Sequence, residues 1–268
     1  MLTLASTASA RLELPALSPA AQVMQRVGLT DITVTYSSPA VRGRVIWGKL
    51  VPFGKNWRTG ANAATTIRFS RDVKVGGKSV KAGTYSIFTI PAQNGMWTVV
   101  LNSNTKTWGN RGYKRSDDVA RVKLKTEAIA HRERMTFIFA DTTDDGTTLA
   151  LEWEKVRLPI KISVDTKAQA LANIKKTLSS SWRPYFMASR YFMSIGDMVR
   201  AEKKAKKSMM IKETWGNQWL MAQILAKKGD KTGALAYAKK ALAGGGTDAA
   251  FVGFYRAQIK NAVAKWSK

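Results

Sequence analysis

The side chains best equipped for chemistry fall in one short stretch, Pro52-Phe53-Gly54-Lys55-Asn56-Trp57-Arg58-Thr59-Gly60-Ala61-Asn62. Glycine and asparagine supply turn geometry there, while tryptophan and arginine are residue types that anchor contacts. Two readings are open. In one, Trp57 plugs the end of a β-sandwich and Arg58 hydrogen-bonds loop carbonyls. In the other, Trp57, Arg58, Thr59 and Asn62 form a ligand site, joined by Trp108 and Tyr113 from a later glycine-rich loop.

Other chemistries are poorly supplied. Cysteine is absent, which removes disulfides and thiolate metal sites. The lone His131 cannot form a histidine cluster, and its polar surroundings, Ala130 to Arg134, read as a solvated loop between two strands. Asp117-Asp118 and Asp144-Asp145 are adjacent pairs, and neighbours on a strand point to opposite faces. Glu152 and Glu154, spaced by two, share a strand face, an arrangement a glycosidase can use; a solvated sheet edge is the plainer expectation. Gly77-Lys78-Ser79 mimics the end of a phosphate loop, but Asp72 stands where its first glycine belongs. No metal or cofactor is expected.

Charge is the outlier. Lysine and arginine number 44 against 18 acidic residues, a formal net of +26. Residues 1–165 carry +11 of this and the shorter 166–268 segment +15. Such a field attracts phosphates, anionic lipids, acidic glycans or nucleic acid. Arg200, Lys203, Lys204 and Lys207 fall at helical i, i+3, i+4 and i+7, with Ala201, Ala205 and Ser208 opposite. That face is either solvated or an anion-binding stripe. Trp215 and Trp219 lie one helical turn apart, with Trp182 and Tyr185 upstream. They are expected to pack helices, a concave recognition groove being the alternative.

The elements that must position these residues come in two kinds. Residues 12–30 read as a polar-apolar lead-in. From Asp31 apolar residues alternate, as in Ile32, Val34 and Tyr36, and the pattern resumes over 41–47. Gly76-Gly77 and Asn94-Gly95 mark hairpin turns, and Asp145-Gly146 another. Leu149 to Trp153 and Val156 to Val164 close the set. About ten short strands without helical punctuation imply a mostly antiparallel, jelly-roll-like β-sandwich.

At Asp165 the period becomes helical, with Asp165 or Thr166 as N-cap. Gly196-Asp197 recurs as Gly229-Asp230, an offset of 33, and Ala201 and Ala205 recur as Ala234 and Ala238. A helix-turn-helix unit of roughly 34 residues is tetratricopeptide-like. Helix pairs are expected over 182–209 and 213–243, with a capping helix over 247–265. The domains are thus 11–165, a β-sandwich, and 166–268, an all-α set of helical hairpins.

Residues 1–10 read as the remnant of a signal peptide, with Ala8-Ser9-Ala10 fitting the small-x-small cleavage rule. This expectation starts the mature chain at Arg11 and makes it periplasmic or otherwise exported. No apolar run reaches the roughly 18 residues that span a bilayer.

Five pieces carry a family resemblance: Tyr36 to Arg44, Leu50 to Gly54, Trp57 to Asn62, Ala82 to Pro91, and Leu151 to Glu154. Together they resemble a bacterial family known only as domain of unknown function 2911, over roughly residues 30–165. The resemblance implies an exported β-sandwich, often followed by helical repeats, and brings no established activity. Where that family often has glutamate after the Gly-Ala-Asn step, this chain has Ala63.

The expectation is therefore a non-catalytic binding or scaffold protein of the bacterial envelope. Its sandwich holds a ligand, and its basic helical tail holds an envelope protein, a glycan or another anionic polymer. A glycan hydrolase would need two carboxylates converging on the Trp57 corner. Nucleic-acid binding has charge in its favour but no recognised reading motif.

Overall fold

The computed structural model describes residues 14–177 and 181–267. The expected signal remnant at 1–10 lies outside the described residues. The chain divides into two compact units between Gln169 and Ala170.

Among the described residues ten strands build the first unit: β1 (Ala20–Val27), β2 (Thr30–Ser37), β3 (Thr66–Phe69), β4 (Val73–Val75), β5 (Lys78–Val80), β6 (Gly83–Ile90), β7 (Met96–Asn102), β8 (Asp118–Lys125), β9 (Glu127–Ala140) and β10 (Gly146–Ser163). They pair antiparallel in two sheets, ordered β1-β2-β3-β6-β7-β8 and β5-β4-β10-β9. Period-two alternation makes the layers. Ile32, Val34, Ile67, Phe69, Val99 and Leu101 from the first sheet share one apolar core with Met135, Phe137, Leu149, Leu151, Ile160 and Ile162 from the second. The result is a β-sandwich.

Four local expectations are corrected. The lead-in contains β1, an edge strand whose Ala21 and Val23 are only half-buried, so its alternation is weak. The 41–47 segment is not a strand but a set of turns, because Arg42 and Gly43 take φ of 50° and 65°. Residues 149–163 belong to one 18-residue strand, β10 (Gly146–Ser163), rather than two; register shifts around Glu154, whose φ is 56°, bend it without ending it. His131 stands exposed within β9, not in a loop.

The second unit is helical: α1 (Thr166–Thr177, begun in the first unit), α2 (Trp182–Ser194), α3 (Met198–Ile211), α4 (Trp215–Lys227), α5 (Lys231–Gly244), a π-helical turn (Phe251–Tyr255) and α6 (Arg256–Trp266). Asp165 caps α1, accepting from the Ala168 N–H at 2.8 Å. The repeat read at offset 33 has a physical basis. Gly196 and Gly229 turn the chain at φ 79° and 86°, and Asp197 and Asp230 then cap α3 and α5. Ala201, Ala205, Ala234 and Ala238 are wholly buried where paired helices meet. Among the described residues no helix is long and apolar enough to cross a membrane.

Candidate functional site

The corner around Trp57 is built by pairing beyond β3. The Trp57 N–H donates to the Thr89 carbonyl at 2.8 Å, and the Thr89 N–H returns a bond at 2.9 Å. This extends the edge of β6 and leaves Trp57 only 8% exposed, with its indole N–H donating to the Gly60 carbonyl at 3.2 Å. Four indoles meet there. Trp57 stacks on Trp153, and Trp47 stands edge-on to Trp57, Trp97 and Trp153. Thr59 is wholly buried beneath the turn, within hydrogen-bonding distance of the Trp57 carbonyl and the Thr89 hydroxyl, both at 3.3 Å. Its φ of 57° is unusual for a β-branched residue.

Against this corner lies a cavity of about 270 Å³. Trp57, Arg58, Gly60 and Ala61 line it together with Arg42, Arg44 and Trp153. Arg44 donates to the Val41 and Ala40 carbonyls at 3.0 and 2.6 Å, and Arg42 to the Leu17 carbonyl at 2.9 Å. Arg58 differs. Its Nε is buried with no hydrogen-bond partner among the described residues, and burial draws its guanidinium pKa below the usual arginine value. The Trp153 indole N–H is likewise unpartnered.

The remaining residues of the expected ligand site are placed apart from the cavity lining. Asn62 ties the corner to neighbouring chain, donating to the Ser18 carbonyl at 3.2 Å and the Ser37 hydroxyl at 3.3 Å. Trp108 is 64% exposed, and its backbone bridges Ala63 and Arg111. Tyr113 belongs to another network, donating to Asp118 at 2.9 Å and accepting from Arg121 at 3.1 Å. Burial and the bond to Asp118 push its phenol pKa up. Arg42, Arg44 and Trp153 are among the lining residues that sequence reasoning missed. The Arg42-Gly43-Arg44 triplet was the available signal, hidden by its reading as a strand.

Among the described residues the carboxylates do not converge on this cavity. Glu152 is buried, not a solvated edge; its oxygens meet Arg132 at 2.7 Å and Arg157 at 3.4 Å. Asp118 is held by Arg121 and Asn102. His131 faces Glu133 at 3.3 Å on the surface. Among the described residues no group of three or more acidic or histidine side chains is arranged to hold a metal ion.

In the helical unit, α2, α4 and the 248–258 segment enclose a cavity of about 620 Å³. Trp182, Phe186, Trp215, Trp219 and Tyr255 line it. Trp215 contacts Tyr255 at 5.2 Å, and the buried Trp219 indole N–H has no partner among the described residues. Arg183 and Arg190 lie over the Trp182 and Phe186 rings at 5.6 and 5.9 Å. These tryptophans therefore both pack helices and line a concavity. On α3, Arg200 is engaged by Asp197 and the Phe192 ring, and Lys204 lies over Tyr185. Lys203 and Lys207 remain exposed.

Fold and geometry define a class: a β-sandwich with an arginine-lined corner cavity, succeeded along the chain by helical hairpins with an aromatic concavity. The chain belongs to the family described as "Protein of unknown function (DUF2911)", whose model matches residues 18–162. No curated protein and no solved structure matches the chain.

Proposed function

We propose that this chain is an exported, non-catalytic binding protein of the bacterial envelope. Its helix pairs, of tetratricopeptide type, hold a segment of a partner protein, and its sandwich corner holds a small ligand. The observation that carries the reading is the aromatic cavity of the helical unit, flanked by two arginines. Stacked helix pairs present concave faces to extended partners. The lining residues of α2, Trp182 to Met193, run about 16 Å at 1.5 Å per residue, room for about five extended residues. Among the described residues neither Arg183 nor Arg190 is paired with a carboxylate, so the rim favours a segment carrying acidic as well as apolar side chains. Export rests on the Ala8-Ser9-Ala10 pattern and on what the family resemblance implies.

The test is a fluorescence-polarisation screen of the whole chain with acidic-aromatic peptides, repeated on Arg183→Glu/Arg190→Glu. Loss of binding in that variant supports the reading. Equal binding of scrambled basic peptides overturns it. Fractionation of cells expressing the tagged chain from its complete reading frame tests export, and retention in the cytoplasm refutes it.

A further inference from the structure

The unpaired side-chain groups at the sandwich corner cavity are donors. Arg58 Nε and Trp153 Nε1 are both buried and lack acceptors among the described residues. Among the described residues no aspartate or glutamate lines the cavity, although three arginines do. The acid nearest in the bonding network, Glu133, accepts from the Arg42 backbone N–H at 2.9 Å and faces His131, and it is not part of the lining. A half-buried guanidinium without a counter-ion is costly, and an unsatisfied buried donor adds to the cost. An acceptor with negative charge relieves both. The free Nε leaves Arg58 an edge of its planar fork, which matches the paired oxygens of a carboxylate or phosphate.

Size and shape narrow the class. At about 270 Å³ the space is at the small end for ligand pockets, too small for a polymer segment of any length. Its aromatic side is two indoles, Trp57 and Trp153, stacked at 5.7 Å, and Pro39, Leu50 and Val51 add apolar surface. The lining thus combines cationic and apolar surface.

We propose that this cavity binds a small organic anion, with a carboxylate or phosphate head on Arg58 and a compact apolar body against Trp57 and Trp153. Arg42 and Arg44 add positive potential around the head while their bonds to Leu17, Ala40 and Val41 hold the turn. This rests on reading the corner as the ligand site of a binding protein, and it is independent of the helical cavity.

The experiment titrates the full chain with benzoate, phenyl phosphate, benzyl alcohol and inorganic phosphate, read by indole fluorescence and calorimetry. Benzoate or phenyl phosphate is expected to bind about tenfold or more tightly than benzyl alcohol and inorganic phosphate. Which of the two aromatic anions binds better distinguishes the head group. Arg58→Gln is expected to lose that preference. Ala61→Phe, which fills the cavity and leaves every arginine in place, is expected to abolish binding, with a thermal melt confirming that each variant is folded. Benzyl alcohol binding as well as the anions overturns the proposal. So does wild-type affinity in either folded variant, which places the anion elsewhere on the basic surface. If no anion binds while acidic-aromatic peptides are still captured, this assignment falls and the partner-holding role stands.

Discussion

Trp57 and Trp153 lie with their rings 5.7 Å apart and 22° from parallel, although they are far apart in sequence. The contact joins the Trp57 turn to the bulged middle of β10, where Glu154 takes its positive φ. The indole stack is therefore both the seam of the sandwich and one side of the corner cavity. Trp153→Ala is expected to cost about 3–5 kcal/mol, the range for deleting a buried large aromatic. The same change at Trp57 shares partners with it, so the double variant is expected to lose less than the sum. Denaturant unfolding followed by near-ultraviolet dichroism checks this; additive losses would show that the stack has no joint role.

The two glycine-aspartate turns make unequal contributions. Asp230 accepts from the Gly233 N–H at 2.8 Å, and a lost cap of this kind costs about 1 kcal/mol. Asp197 does the same for Arg200 at 2.9 Å and also holds the Arg200 guanidinium, whose carbon lies 4.6 Å from the centre of the Phe192 ring. Asp197→Ala is thus expected to lower the melting temperature more than Asp230→Ala. A larger drop for Asp230→Ala would contradict this account of the repeat.

Glu202 supplies a pH dependence. Lys206 and Lys228 both donate to its carboxylate, at 2.6 and 2.5 Å, and hold its pKa below the ordinary 4.5. A carboxylate depressed in the folded state binds fewer protons there than in the unfolded chain. Its stabilisation is present above the unfolded value and fades as pH falls through the folded one. Glu202→Gln is expected to destabilise the chain at neutral pH by about 1 kcal/mol, since the two lysines are 61% and 39% exposed and solvent screens the pairs. Melts at pH 7 and at pH below about 3 should show that gap and then its closure. A gap that persists in acid would mean that packing, not charge, is what Glu202 contributes.

Legibility followed sequence distance. The β4–β5 hairpin was readable because Gly76-Gly77 fixes its turn locally, and the helical hairpins because Gly-Asp and Ala recur at one offset. Edge strand β1 was not, since it buries few side chains and needs little apolar pattern. The corner cavity was half legible. Trp57 and Arg58 stood out by type, but their neighbours Arg42, Arg44 and Trp153 arrive from separate segments that only tertiary packing brings together. Tyr113 shows the opposite fault: a residue with the right chemistry is held by Asp118 and Arg121, which no spacing rule pairs with the Trp57 turn.

The cationic face of α3 is smaller than its four-residue pattern suggests. Arg200 is held by Asp197 and Phe192, and the Lys204 ammonium sits 5.6 Å from the Tyr185 ring centre, so Lys203 and Lys207 are the members free to meet an anion. Both lie opposite the buried Ala201, Ala205 and Ser208, and replacing them leaves that packing untouched. Lys203→Glu/Lys207→Glu is expected to change stability by no more than about 0.5 kcal/mol. It removes four units of charge difference from one helical face, so elution from a sulfonated resin is expected at lower salt than for the wild type. Lys204→Glu, by contrast, is expected to cost stability as well, because it breaks a cation–aromatic contact worth about 0.5–1 kcal/mol at an exposed site. Equal elution of the double variant and the wild type would show that the chain's retention comes from other basic surfaces and that α3 is a solvated face.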